Sequence, residues 1–514
     1  MSAPTGRTLA LWVVVLVAWL GVSALLGALG VPAALLLALH LLATAAILWR
    51  IARGTMVGQA RGFLTAYCEE PSALTPYAVA GAWISGFGTV GIGAAILVQG
   101  HDAFALVGGL VGGLVLASLL VAPALAESGA VSLPDWIIRR FGSGAGSFVK
   151  GALALSGVAL VMVQLGFAAL VGQAMFGVPP LLLVPVVAVL VLLAVLAGGM
   201  GTMVPAQALL FAILFVGVLV PALWLGMAET GIPLPHLAPG AVLYEGAEAE
   251  ARLGVDVGGD PFAAMMLGLT VLLGTLALPH TLVRYPSERD GRAARYFAQR
   301  GTLLAVAVIA AVPLFAITVR AEQVFAALAG GMPLPVGATP AQALAQGIAI
   351  LDPPAWLLAV FGAGAIAAPV AACASATLLV ASALGGDPQR ETAGGVLSRF
   401  RWVGAGTVGV GAVLALGVPV DPLAAFLALL AVAASAFLAP LVLSLMWLGL
   451  TAGGALAGVA TGAVVCIALA ALGWSVTGGV AVVGVGVSAV AAVAVSLVRR
   501  DPEPSPPVRI PPPT

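Results

Sequence analysis

The sequence predicts an all-α polytopic membrane protein of about fourteen transmembrane helices. Three observations carry that reading. Charged residues are only 8% of the chain, against 62% hydrophobic. The apolar residues gather in runs close to the roughly 20 residues that one helical crossing needs. The few cations cluster between alternate runs, which is how membrane proteins record the side each loop faces. A soluble chain of 514 residues would need far more charge to keep its surface wet.

The predicted spans, in order, are 8–30, 33–52, 76–98, 103–126, 149–172, 178–197, 203–226, 261–283, 301–320, 354–384, 402–419, 422–446, 451–472 and 475–498. The first two are parted by a short turn around Pro32 and read as a hairpin, 1–52. The first run is longer than a signal-peptide core, so it reads as a span although Arg7 precedes it.

Starting inside and alternating, the inner loops hold Arg7; Arg50, Arg53 and Arg61; Arg139, Arg140 and Lys150; Arg284, Arg289, Arg292, Arg295 and Arg300; Arg390, Arg399 and Arg401; and Arg499, Arg500 and Arg509. That is eighteen of the twenty basic residues, and only Arg252 and Arg320 fall outside. The positive-inside rule then sets both termini in the cytoplasm, and the composition suggests a bacterial inner membrane. Glu229, Glu245, Glu248, Glu250, Asp256 and Asp260 all fall in the outer segment 227–260. A second long outer segment, 321–350, is expected to hold a short helix at Glu322–Leu328. The Pro-rich tail 499–514 should be disordered. Zero formal charge argues against a nucleic-acid partner, and the lipid bilayer is the expected surroundings. Cys68, Cys373 and Cys466 make no metal spacing. The chain carries no signal of oligomeric state.

Two spans should not be continuous helices. Span 76–98 carries Gly86, Gly88, Gly91 and Gly93 within eight residues, next to Ser85 and Thr89. Span 261–283 carries Gly268, Gly274, Thr275 and then Pro279-His280. Broken spans in corresponding positions of two halves mark the binding site of many secondary transporters. On that reading 76–226 and 261–446 are two inverted repeats of five core helices, and 447–498 holds two peripheral helices.

Four stretches carry a resemblance: SLPDWIIRRFG at 132–142, LAGGMGTMVPAQ at 196–207, LGTLALPHTLVRYPSERDGRAAR at 273–295 and WLGLTAGGALAGVATG at 447–462. In order and spacing they resemble the solute:sodium symporters, and within them most closely the cation/acetate branch. The resemblance implies a LeuT-type 5+5 core that moves a small organic solute with a coupling ion, sodium or a proton. No covalent chemistry and no cofactor is expected. It further implies a cation held by the carbonyls of Gly81, Ile84 and Pro369 and by two side chains at Ala372 and Cys373. Family members carry Ser or Thr at the last two positions. This chain departs there, which leaves sodium, a proton, or a degenerate site as alternatives, because sodium prefers oxygen ligands. The branch carries an Asp where Ala82 stands, another departure.

Polar groups inside the bundle are the remaining candidates. Ser85, Thr89, Gln164, Gly274 and Thr275 are expected to line the solute site, with Gln164 offering its amide to a carboxylate or else bridging two helices. Gln207 is expected at the inner exit. His280 reads as a proton relay or as a turn residue bonded to a carbonyl, and Arg284 and Arg295 as cations that fix the inner loop rather than meet the substrate. The predicted function is cation-coupled symport of a small solute, a monocarboxylate such as acetate. The alternative is a non-transporting membrane sensor or partner subunit. No GxSxG or HExxH stretch supports an enzyme.

Overall fold

The computed structural model describes residues 6–66, 73–237, 260–328, 338–386 and 393–498. Cys68, most of the acidic outer segment and the Pro-rich tail lie outside the described residues. The hairpin is α1 (Gly6–Ala28) and α2 (Ala33–Gly54), followed by the short α3 (Ala60–Thr65). Then come α4 (Thr75–Gln99), α5 (Phe104–Glu127), α6 (Leu133–Phe176), α7 (Pro180–Val195) and α8 (Met200–Thr230). The second half holds α9 (Pro261–Ala277), α10 (Pro279–Leu282), α11 (Gly291–Ile309), α12 (Val312–Leu328), α13 (Pro340–Ile350), α14 (Ala355–Leu384), α15 (Ala393–Gly417) and α16 (Pro422–Met446). The last two are α17 (Ala452–Ala471) and α18 (Val480–Val498).

Among the described residues eleven helices are long and apolar enough to cross a membrane, and a twelfth crossing is the bent pair α9 and α10. Two shorter apolar stretches, Val17–Ala28 and Pro180–Val195, fall on the remaining expected spans. One expectation is corrected. Glu322–Leu328 is not a separate helix but the uninterrupted end of α12, and the separate helix of that outer segment is α13. The capping box of Thr339 and Gln342, with Pro340 at the first turn, starts α13 where it does.

The scarce charges have structural work at helix ends. Asp260, Asp290 and Asp421 accept hydrogen bonds from the first free N–H groups of α9, α11 and α16. Arginines do the converse. Arg401 donates to the carbonyls of Leu196 and Ala197 beyond α7, and Arg320 to Leu97 at the end of α4.

The centre of the bundle is α14. Nearly every residue from Val360 to Ala383 is buried, and the stretch is almost wholly Ala, Gly, Val, Leu and Ser. In lipid, hydrophobicity does not drive helices together, so small residues that allow close approach take that part. Gly217 of α8 and Gly364 of α14 meet backbone to backbone, and Gly109 and Gly113 seat α5 on the backbone of α9. Helices α2, α4, α6 and α8 all pack on α14. The hairpin thus lies against the core. Thr55, just past α2, bonds Thr202 of α8 at 2.6 Å, and Gly199 (φ 58) lies on the carbonyl of Phe63, where no side chain would fit.

Candidate functional site

The site is built by one interruption in α4. Ser85 has φ 56 and ψ −178, a region that is essentially glycine's own. A continuous helix would direct the Gly86 N–H to the carbonyl of Ala82, four residues back. The turn at Ser85 separates them. The Gly86 N–H donates instead to Oε1 of Gln164 on α6, at 2.8 Å. The carbonyl of Ala82 is hydrogen-bonded by His280 on α10. Both halves of the lost backbone bond are therefore satisfied by side chains from other helices, as a break in a water-free interior requires.

The second break lies beside the first. Leu278 is extended (φ −62, ψ 114), with Pro279 following, and the two legs meet at 42°. Pro279 removes a backbone donor and disfavours helix at Leu278, so the sequence dictates the stop and restart. His280 sits in the first turn of the restarted leg, which is why it reaches back to Ala82.

Gln164 is fully buried. Because its oxygen must accept from Gly86, its amide nitrogen faces the other way, and Nε2 has no partner. Nδ1 of His280 is likewise unpartnered. Aromatic rings pack around the break. Phe87 stacks on Phe426 of α16 with centroids 4.8 Å apart, Phe167 meets the same ring edge-on at 6.5 Å, and Gly86 lies directly against Phe167. The half-helix N-terminus at Gly86 gives this depth positive backbone potential, and the helix ends at Ile84 and Ala277 give negative potential. The arrangement can hold a small anion with an apolar remainder, and a cation beside it.

Ser85, Thr89 and Gln164 meet at the break. The Thr89 hydroxyl donates to the carbonyls of Gly86 (3.2 Å) and Ser85 (3.4 Å). Gly274 abuts Leu430 of α16, and Thr275 faces Gly113 of α5. Gly81 lies on the backbone of Gln207, and the carbonyl of Ile84 accepts the Phe87 N–H. Pro369, Ala372 and Cys373 are buried on α14, which packs on α4. Cys373 turns its sulfur to the carbonyl of Val161 on α6, 3.9 Å away. Thr377, one turn on, puts its methyl against Gly404 of α15.

Gln207 is at the centre of a network. Its Nε2 donates to the carbonyl of Ala371 and to Oγ of Ser375, both at 2.8 Å, and its Oε1 accepts from Nη2 of Arg284. Arg284 follows α10 in a turn, as a loop residue should, but it is only 2% exposed: the turn carries it inward rather than to solvent. Its burial carried no periodic signal, since α10 ends at Leu282 and Arg284 follows in a turn. The aromatic rings carried none either, since Phe87, Phe167 and Phe426 lie on three separate spans.

The model of the sodium:solute symporter family matches residues 72–462. A solved structure of a Na+-coupled sialic acid symporter, in a substrate-bound outward-open state, superposes with a TM-score of 0.70. It is 13% identical, and the match covers 90% of this chain and 98% of that one. At that identity the likeness is one of fold.

Proposed function

The chain belongs to the sodium:solute symporter family, and on that premise we propose that it carries a small monocarboxylate, of about the size of acetate, by alternating access. Membership makes it a transporter rather than an enzyme and supports cation-coupled solute symport. The finer reading rests on one observation: the buried, unpartnered Nε2 of Gln164 at the break in α4. An amide N–H held without a partner costs free energy, and a carboxylate oxygen is the partner that the half-helix N-terminus at Gly86 also favours. The rings of Phe87, Phe167 and Phe426 suit a methyl or short alkyl remainder.

The coupling ion would lie between α4 and α14, on the carbonyls of Gly81, Ile84 and Pro369 beside Ala372 and Cys373. The family implies sodium. The missing hydroxyls favour fewer protein oxygens and more water around the ion, or a proton in its place. They also favour a second reading, a sensor or partner subunit that keeps the fold without coupling. We place the protein in a bacterial inner membrane with both termini cytoplasmic, on the distribution of its basic residues, and we retain fourteen spans and the two five-helix repeats.

The test is solute entry into proteoliposomes supplied with labelled acetate, pyruvate or proline. Saturable entry of acetate or pyruvate supports the reading. Entry of none of the three removes it for these solutes.

A further inference from the structure

We propose that Arg284 is a second anion-binding position, which receives the solute's carboxylate after it leaves the break in α4; this rests on the carboxylate reading of the solute. The guanidinium is almost wholly buried in the helix bundle. Its side-chain partner is a neutral amide, Gln207, and its Nη1 has no partner. Among the described residues it makes no ion pair, and the Glu288 carboxylate acts on it only from beyond ion-pair distance. A buried cation without an anion is strongly disfavoured unless something negative joins it. The planar fork of arginine matches a carboxylate with two parallel N–H bonds, and Nη1 already offers the first.

Its place in the fold gives the anion a route. Gln207 lies against Gly81, which is one helical turn from Ser85 on the inner leg of α4. His280, four residues before Arg284, bonds Ala82 on the same leg. Arg284 therefore stands about one turn past the break, toward the end of the bundle where the basic residues gather. Its bond to Gln207, and through it to Ala371 and Ser375, joins the turn after α10 to α8 and α14 across that end. A carboxylate arriving at Nη1 competes with the Gln207 amide for the guanidinium. The neutral bond is the weaker one, so the anion's arrival loosens the tie among the three helices.

The experiment is thermal unfolding of the purified full-length protein in detergent with sodium acetate, sodium chloride at equal ionic strength, or acetamide. Acetate is expected to raise the midpoint by a few degrees over both controls. Gln207→Glu supplies the guanidinium with a built-in carboxylate, and Arg284→Lys keeps the charge but loses the fork. Both are expected to lose most of the acetate shift, while Gln164→Leu keeps part of it. Loss in Gln164→Leu with a full shift in Gln207→Glu and Arg284→Lys would overturn the proposal and leave the carboxylate reading standing. No acetate shift in the unaltered protein would overturn it too, as would an equal shift by chloride. Gln207→Glu changes one atom type and tests the site even where removal of Arg284 prevents folding.

Discussion

The Gly86 N–H donates to Oε1 of Gln164 at 2.8 Å, across two helices and 78 positions of sequence. That bond holds α4 open at Ser85, and it leaves the donor atom of the same amide, Nε2, without a partner.

Gln164→Leu puts a shorter apolar side chain in place of the amide and removes the acceptor. It leaves the Gly86 N–H buried and unbonded, which costs about 1–3 kcal/mol. Carboxylate uptake should fall at least about tenfold, the equivalent of one such lost interaction. Uptake rates in proteoliposomes, with unfolding midpoints in detergent, check both effects; unaltered uptake removes Gln164 from the site.

Ser85 occupies a backbone region that costs a non-glycine residue about 1–3 kcal/mol. Ser85→Gly should relieve that strain and raise the unfolding midpoint. Ser85→Val, branched at Cβ, should lower it. Equal midpoints for the two variants would mean that the break does not sit at this residue.

The two positions on α14 should respond unequally to a new hydroxyl. Cys373 faces Val161, so Cys373→Ser should bond that carbonyl and change ion dependence little. Ala372→Ser adds a hard oxygen at the other position and should increase the sodium-stimulated share of uptake. The check is uptake against sodium concentration, and a larger effect from Cys373→Ser contradicts this assignment.

Glu288 lies in the segment after α10. Burial pushes its carboxyl up from 4.5 to about 7, with Arg284 opposing and the like charge of Asp290 adding. The folded protein then holds a proton there that the unfolded chain has released. The contribution to stability is complete below pH 4.5 and is lost as pH rises through about 7. Between about pH 5 and 7.5 the unfolding midpoint should fall more steeply in the unaltered protein than in Glu288→Gln. Equal slopes would show that Glu288 does not titrate in this window.

Much of this was legible in the sequence, and the remainder was not for definite reasons. The glycine run from Gly86 to Gly93 announced a break in α4, and Pro279-His280 announced the other. The exact residue did not follow. Ser85 is held in a glycine-like conformation only because Gln164 and His280, far away in sequence, take up the freed backbone groups. Gln207 stood out as a polar residue in a span, and Ser375, two residues from Cys373 on one helix, points about 200° away from it. In the structure Ser375 meets Gln207 on α8 while Cys373 meets Val161 on α6. Arg284 does follow α10 in a turn, but its burial was not legible, because positive-inside counting places cations by sidedness and is blind to depth. The helix at Glu322–Leu328 was real but misjoined, since nothing local to Arg320 or Glu322 stops α12.

The central claim is that a cation gradient drives a small carboxylate through this protein. The most direct measurement is uptake of labelled acetate by proteoliposomes under an inward sodium gradient, an inward proton gradient, or neither. The account predicts accumulation above equilibrium under one of the two gradients, with simple equilibration under neither. Equal acetate levels under all three conditions would contradict it.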